Sequence, residues 1–181
     1  MRKRSAGVVG FALVVLVGAG CAAARSGGAE AKGSSGPSPH LVGVDVDKVD
    51  WKAKTDAWWA ANLSAEQVAV CRKAGTERPG SGDLLHMKDA GTFTCSSCGY
   101  ALFSSEDKFE SGTGWPSFTR AVSKEAVTVK LDASLGMVRE EVLCGRCNAH
   151  LGHVFDDGPP PTGRRYCINS VCLDHAAKRG R

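Results

Sequence analysis

Apolar positions are spread unevenly along the chain, and the unevenness divides it. Gly7 to Val17 is almost wholly apolar behind Arg2, Lys3 and Arg4, and small residues follow as far as Cys21. A basic stretch, a short apolar core and a small-residue exit predict an export signal over residues 1–21. The apolar run is too short for a comfortable membrane-spanning helix. Residues 22–48 turn to Gly, Ser, Ala and Pro with no hydrophobic period, which predicts a flexible tether. From residue 49 the pattern becomes that of a folded body, expected to run to 175 and to end in a basic tail over 176–181.

Trp51, Trp58 and Trp59 fall in a segment expected to be helical and to pack onto the body. Ser64 opens a second helix. Its side chain can cap, Gln67 three residues on completes a capping box, and Leu63 with Val68 forms a hydrophobic staple. This helix is expected to reach Ala74, with Gly75 as terminator. Beyond it, short apolar stretches between Gly, Ser and Asp predict strands over 92–95, 101–103, 117–120, 126–131, 137–144 and 153–155. A last strand is read over 164–172, where an aromatic and β-branched residues alternate with polar ones. Strands this short and frequent, with no helices between them, predict a mainly β, antiparallel domain behind short N-terminal helices.

Composition narrows the function. The chain has 181 residues, 43% of them hydrophobic, enough for one domain and an appendage. Three of its four net positive charges are Arg2, Lys3 and Arg4, so the chain from Cys21 onward carries +1. A near-neutral body offers no electrostatic footprint for nucleic acid, which sets aside a nucleic-acid-binding zinc module.

Eight cysteines carry the candidate chemistry. Cys95-Ser96-Ser97-Cys98 and Cys144-Gly145-Arg146-Cys147 form two matched C-x-x-C knuckles, a tetrahedral donor set suited to structural Zn²⁺. Gly99 and Gly145 are expected to permit the turns. In an exported protein the same cysteines could form disulfides, and one C-x-x-C could be redox-active, but the matched pairing favours zinc. Cys21 ends Gly18-Ala19-Gly20-Cys21, which resembles a bacterial lipobox, with Gly18 where Leu is usual. It predicts lipidation at Cys21 and an extracytoplasmic lipoprotein held in the cell envelope or periplasm; simple cleavage after the alanines and an uncleaved anchor are the alternatives.

Cys167 stands in Arg164-Arg165-Tyr166-Cys167-Ile168-Asn169. On a regular strand Arg165, Cys167 and Asn169 share one face. A guanidinium beside a thiol favours the thiolate, the nucleophilic form. A buried, inert cysteine is the plain alternative. His150 and His153, close behind the second knuckle, read either as active-site imidazoles or as satisfied core histidines.

Four stretches then resemble one family. Gly75-Thr76-Glu77-Arg78-Pro79, Ser111-Gly112-Thr113-Gly114-Trp115-Pro116-Ser117-Phe118, the run from Cys144 to Phe155, and Arg165-Tyr166-Cys167-Ile168-Asn169-Ser170 are similar, in order, to signatures of the zinc-bearing type B methionine sulfoxide reductases. The resemblance runs from Leu63 to about Leu173. It implies two antiparallel β-sheets, a structural zinc remote from catalysis, and thiol-dependent reduction of methionine R-sulfoxide, chiefly in oxidised proteins. It further implies Cys167 as nucleophile, His150, His153 and Asn169 around the sulfoxide oxygen, and Arg165 as electrostatic support. Trp115 would wall the methyl pocket, with Phe155 able to complete it. The chemistry agrees, because a sulfoxide oxygen leaves only when protonated or strongly hydrogen-bonded.

Two departures stand out. Many relatives carry a resolving cysteine where this chain has Thr113, and an aromatic where it has Gly80. Cys71 is the preferred thiol of the chain to resolve a Cys167 sulfenic acid, ahead of Cys172, and direct reduction by an external thiol is the other route. On an extended strand Cys172 would lie about 16 Å away and face the other side, whereas a disulfide needs Cα atoms within about 7 Å. A monomer served by a thioredoxin-like reductant is expected.

Overall fold

The computed structural model of the chain describes residues 37–178. The expected export signal, the lipobox cysteine and most of the tether lie outside the described residues. Among those residues no helix is long and apolar enough to cross a membrane.

The expected mainly β domain is present. Among the described residues two short α-helices, α1 (Asp56–Asn62) and α2 (Ala65–Gln67), precede nine strands. These are β1 (Gly91–Cys95), β2 (Ala101–Ser104), β3 (Lys108–Phe109), β4 (Ser117–Phe118), β5 (Val127–Asp132), β6 (Arg139–Cys144), β7 (His150–Phe155), β8 (Arg165–Ile168) and β9 (Leu173–Ala177). All pairings are antiparallel. One sheet has the order β2-β1-β9, the other β3-β4-β8-β7-β6-β5. Phe93, Phe103 and Phe118 are fully buried, with Phe103 and Phe118 stacked at 4.4 Å between centroids, and they join the two sheets into one core.

Local signals hold well at α2. Ser64 accepts from the Gln67 N–H and the Gln67 side chain accepts from the Ser64 N–H, which completes the capping box. The helix then widens into a π turn over Val68–Arg72. The residue that turns left-handed is Ala74, at φ 53°, and not Gly75. Gly75 is needed for space, since a Cβ there would press on the Ala69 carbonyl. Trp51 and Trp59 are buried, and the Arg72 guanidinium lies 4.4 Å over the Trp59 ring.

Three boundaries differ from expectation. The tether does not reach residue 48: Ser38 binds the Asp174 carboxylate through its N–H at 2.7 Å, Leu41 is buried, and the Val46 carbonyl accepts from the Trp51 indole at 2.8 Å. At the other end the basic tail gives way to β9, which pairs with β1 as far as Ala177. The strand expected over 164–172 stops at Ile168, and Ser170–Cys172 forms a 3-10 turn that carries the chain into the other sheet. The cause is distant in sequence. The Glu77 carboxylate accepts the Ser170 and Val171 N–H groups at 2.7 and 2.9 Å, so these donors are unavailable to a strand ladder.

Candidate active site and metal centre

Cys167 sits in the middle of the large sheet, with Ser117 of β4 on one side and His153 of β7 on the other. Gly152 lets β7 approach this closely, because a Cβ there would collide with the Cys167 carbonyl oxygen. The thiol opens into a cavity of about 140 Å³ that is also lined by Trp115, His153, Phe155, Asn169 and Arg139. A larger cavity of about 350 Å³ is lined by Glu66, Glu77, Asp83 and Asp174. No thiol lines the larger one, whereas Cys167 lines the smaller.

The five residues Trp115, His153, Phe155, Cys167 and Asn169 thus line one cavity. His150 and Arg165 do not line the cavity. His150 is buried behind it, with its ring 5.5 Å from that of His153 and Nδ1 2.7 Å from Glu141 Oε1. Burial pushes the His150 pKa down against the pull of Glu141, so the ring stays neutral more readily than a free imidazole. His153 Nε2 lies 2.9 Å from Asp132 Oδ2, which also accepts from Arg139 at 2.8 Å. Ser134, His153 and Arg139 hold the Asp132 carboxyl far below the usual carboxylate range.

Arg165 makes a bidentate pair with Asp157, at 2.8 Å for each bond, and its guanidinium stacks 4.5 Å over the Phe155 ring. Its charge is therefore largely committed. Cys167 is half-buried, and that burial pushes its thiol above the ordinary range. The Thr113 hydroxyl, 3.8 Å from the sulfur, and Arg165 pull the other way without overcoming it. The expectation of a thiol shifted toward thiolate by arginine is corrected here, because desolvation outweighs a cation already paired.

Asp132, Arg139, Glu141, Asp157 and Thr76 are site residues that the sequence does not single out. Asp132 and Arg139 face each other across the β5–β6 hairpin, and only strand register reveals that. Alternation along 137–144 places Glu141 with Arg139 but names no partner for either.

Cys71 and Cys172, read as thiols available to Cys167, are bonded to each other. Their Cα atoms lie 5.8 Å apart and both residues are buried. The strand geometry used to separate Cys172 from Cys167 also lapses, because Cys172 stands on the 3-10 turn.

Among the described residues four further cysteines meet between the β1–β2 and β6–β7 turns. The sulfurs of Cys95, Cys98, Cys144 and Cys147 all lie within 4.8 Å of one another, with Cys95 and Cys147 at 3.7 Å and Cys98 and Cys144 at 3.6 Å. Four thiolates around a tetrahedral zinc would be spaced by about 3.8 Å. The donor set therefore fits a metal of that kind. In the first knuckle Gly99 takes φ +71°, as expected of a turn glycine. In the second, the left-handed residue is Asn148, at φ 57°, while Gly145 avoids a collision with the Glu125 carbonyl.

Residues 63–177 match the family model described as the SelR domain. The chain is 56% identical over 121 residues to "Peptide methionine sulfoxide reductase MsrB" of Methanosarcina barkeri, covering 67% of this chain and 85% of that protein. It is 55% identical over 125 residues to the protein of the same name from Thiobacillus denitrificans, covering 69% and 95%. For that of Pseudomonas putida the identity is 53% over 135 residues, covering 75% and 99%. With a family model matched through β9 and relatives covered nearly end to end, the chain belongs to the SelR-domain family of MsrB peptide methionine sulfoxide reductases.

Proposed function

We propose that this chain reduces methionine R-sulfoxide, chiefly in oxidised proteins, with Cys167 as nucleophile. The convergence of Cys167, Trp115, His153 and Asn169 on one cavity carries this reading. The sulfur of Cys167 attacks the sulfoxide sulfur while the oxygen gains a proton. The hydroxyl then passes to the Cys167 sulfur as the methionine S–O bond and the new S–S bond break, releasing methionine and leaving Cys167 as the sulfenic acid. His153, held by Asp132, and the Asn169 amide serve the oxygen. His150 supports His153 from behind, and Arg165 supports the sulfur. Trp115 and Phe155 receive the methyl group.

With the Cys71–Cys172 disulfide closed, an incoming thiol of a thioredoxin-like donor resolves the sulfenic acid. It releases water, forms a mixed disulfide with Cys167, and leaves as the donor's own disulfide. Cys71 and Cys172 serve as alternative resolving thiols only after their bond is reduced. Oxidation with substrate, digestion without reductant and mass mapping of the Cys167 partner decide between these routes.

The metal at the four cysteines is Zn²⁺, one per chain, and when bound it ties the two turns together. Residues 1–21 export the protein, and a lipid on Cys21 tethers it outside the cytoplasm as a monomer that does not bind nucleic acid. Mass analysis of the N-terminal peptide tests the lipid. The central test is an assay with each sulfoxide epimer. Wild type should reduce the R epimer and Cys167→Ser should not; turnover of neither epimer by wild type, or equal turnover by the variant, overturns the reading.

A further inference from the structure

Glu77 is buried, and its carboxylate meets no cation among the described residues. Its two oxygens accept the N–H groups of Ser170 and Val171, at 2.7 and 2.9 Å. Burial pushes its pKa up, opposed by those same backbone donors. A buried carboxylate is an expensive way to hold one short turn. The ordinary solution is at hand in Asn169, which stands at the N-cap of the turn and is among the best capping residue types.

Asn169 makes no side-chain cap bond. Its Oδ1 accepts the Glu77 N–H at 3.1 Å, and its Nδ2 donates to the Leu151 carbonyl at 3.0 Å. Those two bonds assign the amide orientation, since one partner is a donor and the other an acceptor. An amide nitrogen carries two hydrogens. One is committed to Leu151, and the other belongs to a residue that lines the cavity beside Cys167. The carbonyl of Glu77 accepts the Trp115 indole N–H at 3.2 Å. Three parts of one residue therefore reach the capped turn, the Asn169 amide and the Trp115 ring.

We propose that Glu77 is a positioning residue of the active site. By capping the Ser170–Cys172 turn in place of Asn169 it frees that amide to donate into the cavity, and through its backbone it holds Trp115 against the same cavity. The proposal rests on reading the cavity as the sulfoxide-reducing site.

The test is Glu77→Gln. One carboxylate oxygen becomes an NH₂ group facing a backbone N–H, the cap fails, and Asn169 is released to cap its own turn. Turnover of methionine R-sulfoxide should fall about 10- to 100-fold, the range of one lost hydrogen bond to a charged group. Metal content and the rate of Cys167 alkylation by iodoacetamide should match wild type. The decisive readout is the pair Asn169→Ala and Glu77→Gln/Asn169→Ala. If Glu77 acts through Asn169 the double variant is little worse than Asn169→Ala alone, whereas losses that multiply overturn the proposal. So does wild-type turnover by Glu77→Gln.

Should Glu77→Gln fail to fold, Gly82→Ala replaces it. A Cβ at Gly82 meets Ser170 and comes within 2.8 Å of Glu77 Oε1, disturbing the cap while Glu77 stays in place. Reduced turnover with intact Cys167 alkylation supports the proposal, and unchanged turnover overturns it. A wild-type protein that reduces neither epimer refutes the functional reading instead, so the two failures are distinguishable.

Discussion

Cys167 and the four-cysteine cluster put one residue type to two opposite uses. At the cluster, four buried sulfurs crowd within 4.8 Å and have only one another for company. They cannot all ionise together: Cys144 and Cys147 push Cys95 and Cys98 up, while hydrogen bonding to the other three holds Cys144 down. A divalent cation removes that conflict, because coordinating thiols are deprotonated outright. At Cys167 there is a single half-buried sulfur, a hydroxyl at 3.8 Å, a guanidinium shared with Asp157, and open cavity. Four crowded thiols that can hold a metal are placed to act as a staple. One under-satisfied thiol beside a cavity is placed to act as a reagent. Cys71 and Cys172 show a third outcome, in which two buried thiols satisfy each other covalently.

The sharpest way to break the contrast is to strip the cluster. Metal binding in small sites contributes on the order of 10 kcal/mol to folding, so Cys98→Ser should lose bound metal and the cooperative melting transition together. Cys167→Ser should keep both. Metal analysis and a thermal melt on the two variants read this directly, and a well-folded, metal-free Cys98→Ser would contradict the staple.

Next in size is the disulfide. It closes a sequence separation of 101 residues between the π turn and the 3-10 turn, and such a loop corresponds to about 2–5 kcal/mol of stability. Cys71→Ser/Cys172→Ser should lower the unfolding free energy by that amount, read by denaturant titration. Alkylation of Cys167 should proceed as in wild type, because neither sulfur touches the cavity.

A smaller effect is expected at Gly152→Ala. The added methyl collides with the Cys167 carbonyl and must push β7 and β8 apart, an overpacking that costs about 1–3 kcal/mol. Sulfoxide reduction should drop further than stability, because the displaced strand carries Cys167, the proposed nucleophile. A variant that loses stability and retains full turnover would show that the strand spacing is structural only.

The smallest effect concerns pH. Burial raises the Cys167 thiol, so its alkylation rate should climb with pH to above the range of a free cysteine. The Thr113 hydroxyl lowers the same pKa, and Thr113→Val should therefore move the profile further toward alkaline pH. A shift toward acid would show that Thr113 does not stabilise the thiolate.

Much of this contrast is legible in the chain itself. The two C-x-x-C knuckles are local spacings, and the tetrahedral preference of zinc for thiolates makes the spacing meaningful. Ser64 and Gln67 are legible for the same reason, since a capping box is closed within three residues. What is not legible depends on partners far along the chain. The end of β8 is decided by Glu77, 93 residues before the N–H of Ser170 that it accepts. The commitment of Arg165 is decided by Asp157, and the orientation of His153 by Asp132 on a strand two places away in the sheet.

By itself the sequence determined a mainly β domain, two matched C-x-x-C knuckles and a Cys167 that belongs to neither, since periodicity and short spacings are properties of neighbours in the chain. Only the tertiary structure decided that Cys71 and Cys172 bond to each other, that desolvation outweighs arginine at Cys167, and that Glu77 rather than Asn169 caps the turn beyond it. Those outcomes are set by which groups burial brings together and which of them compete for one partner. Burial is a property of the packed sheets, and no stretch of chain carries it alone.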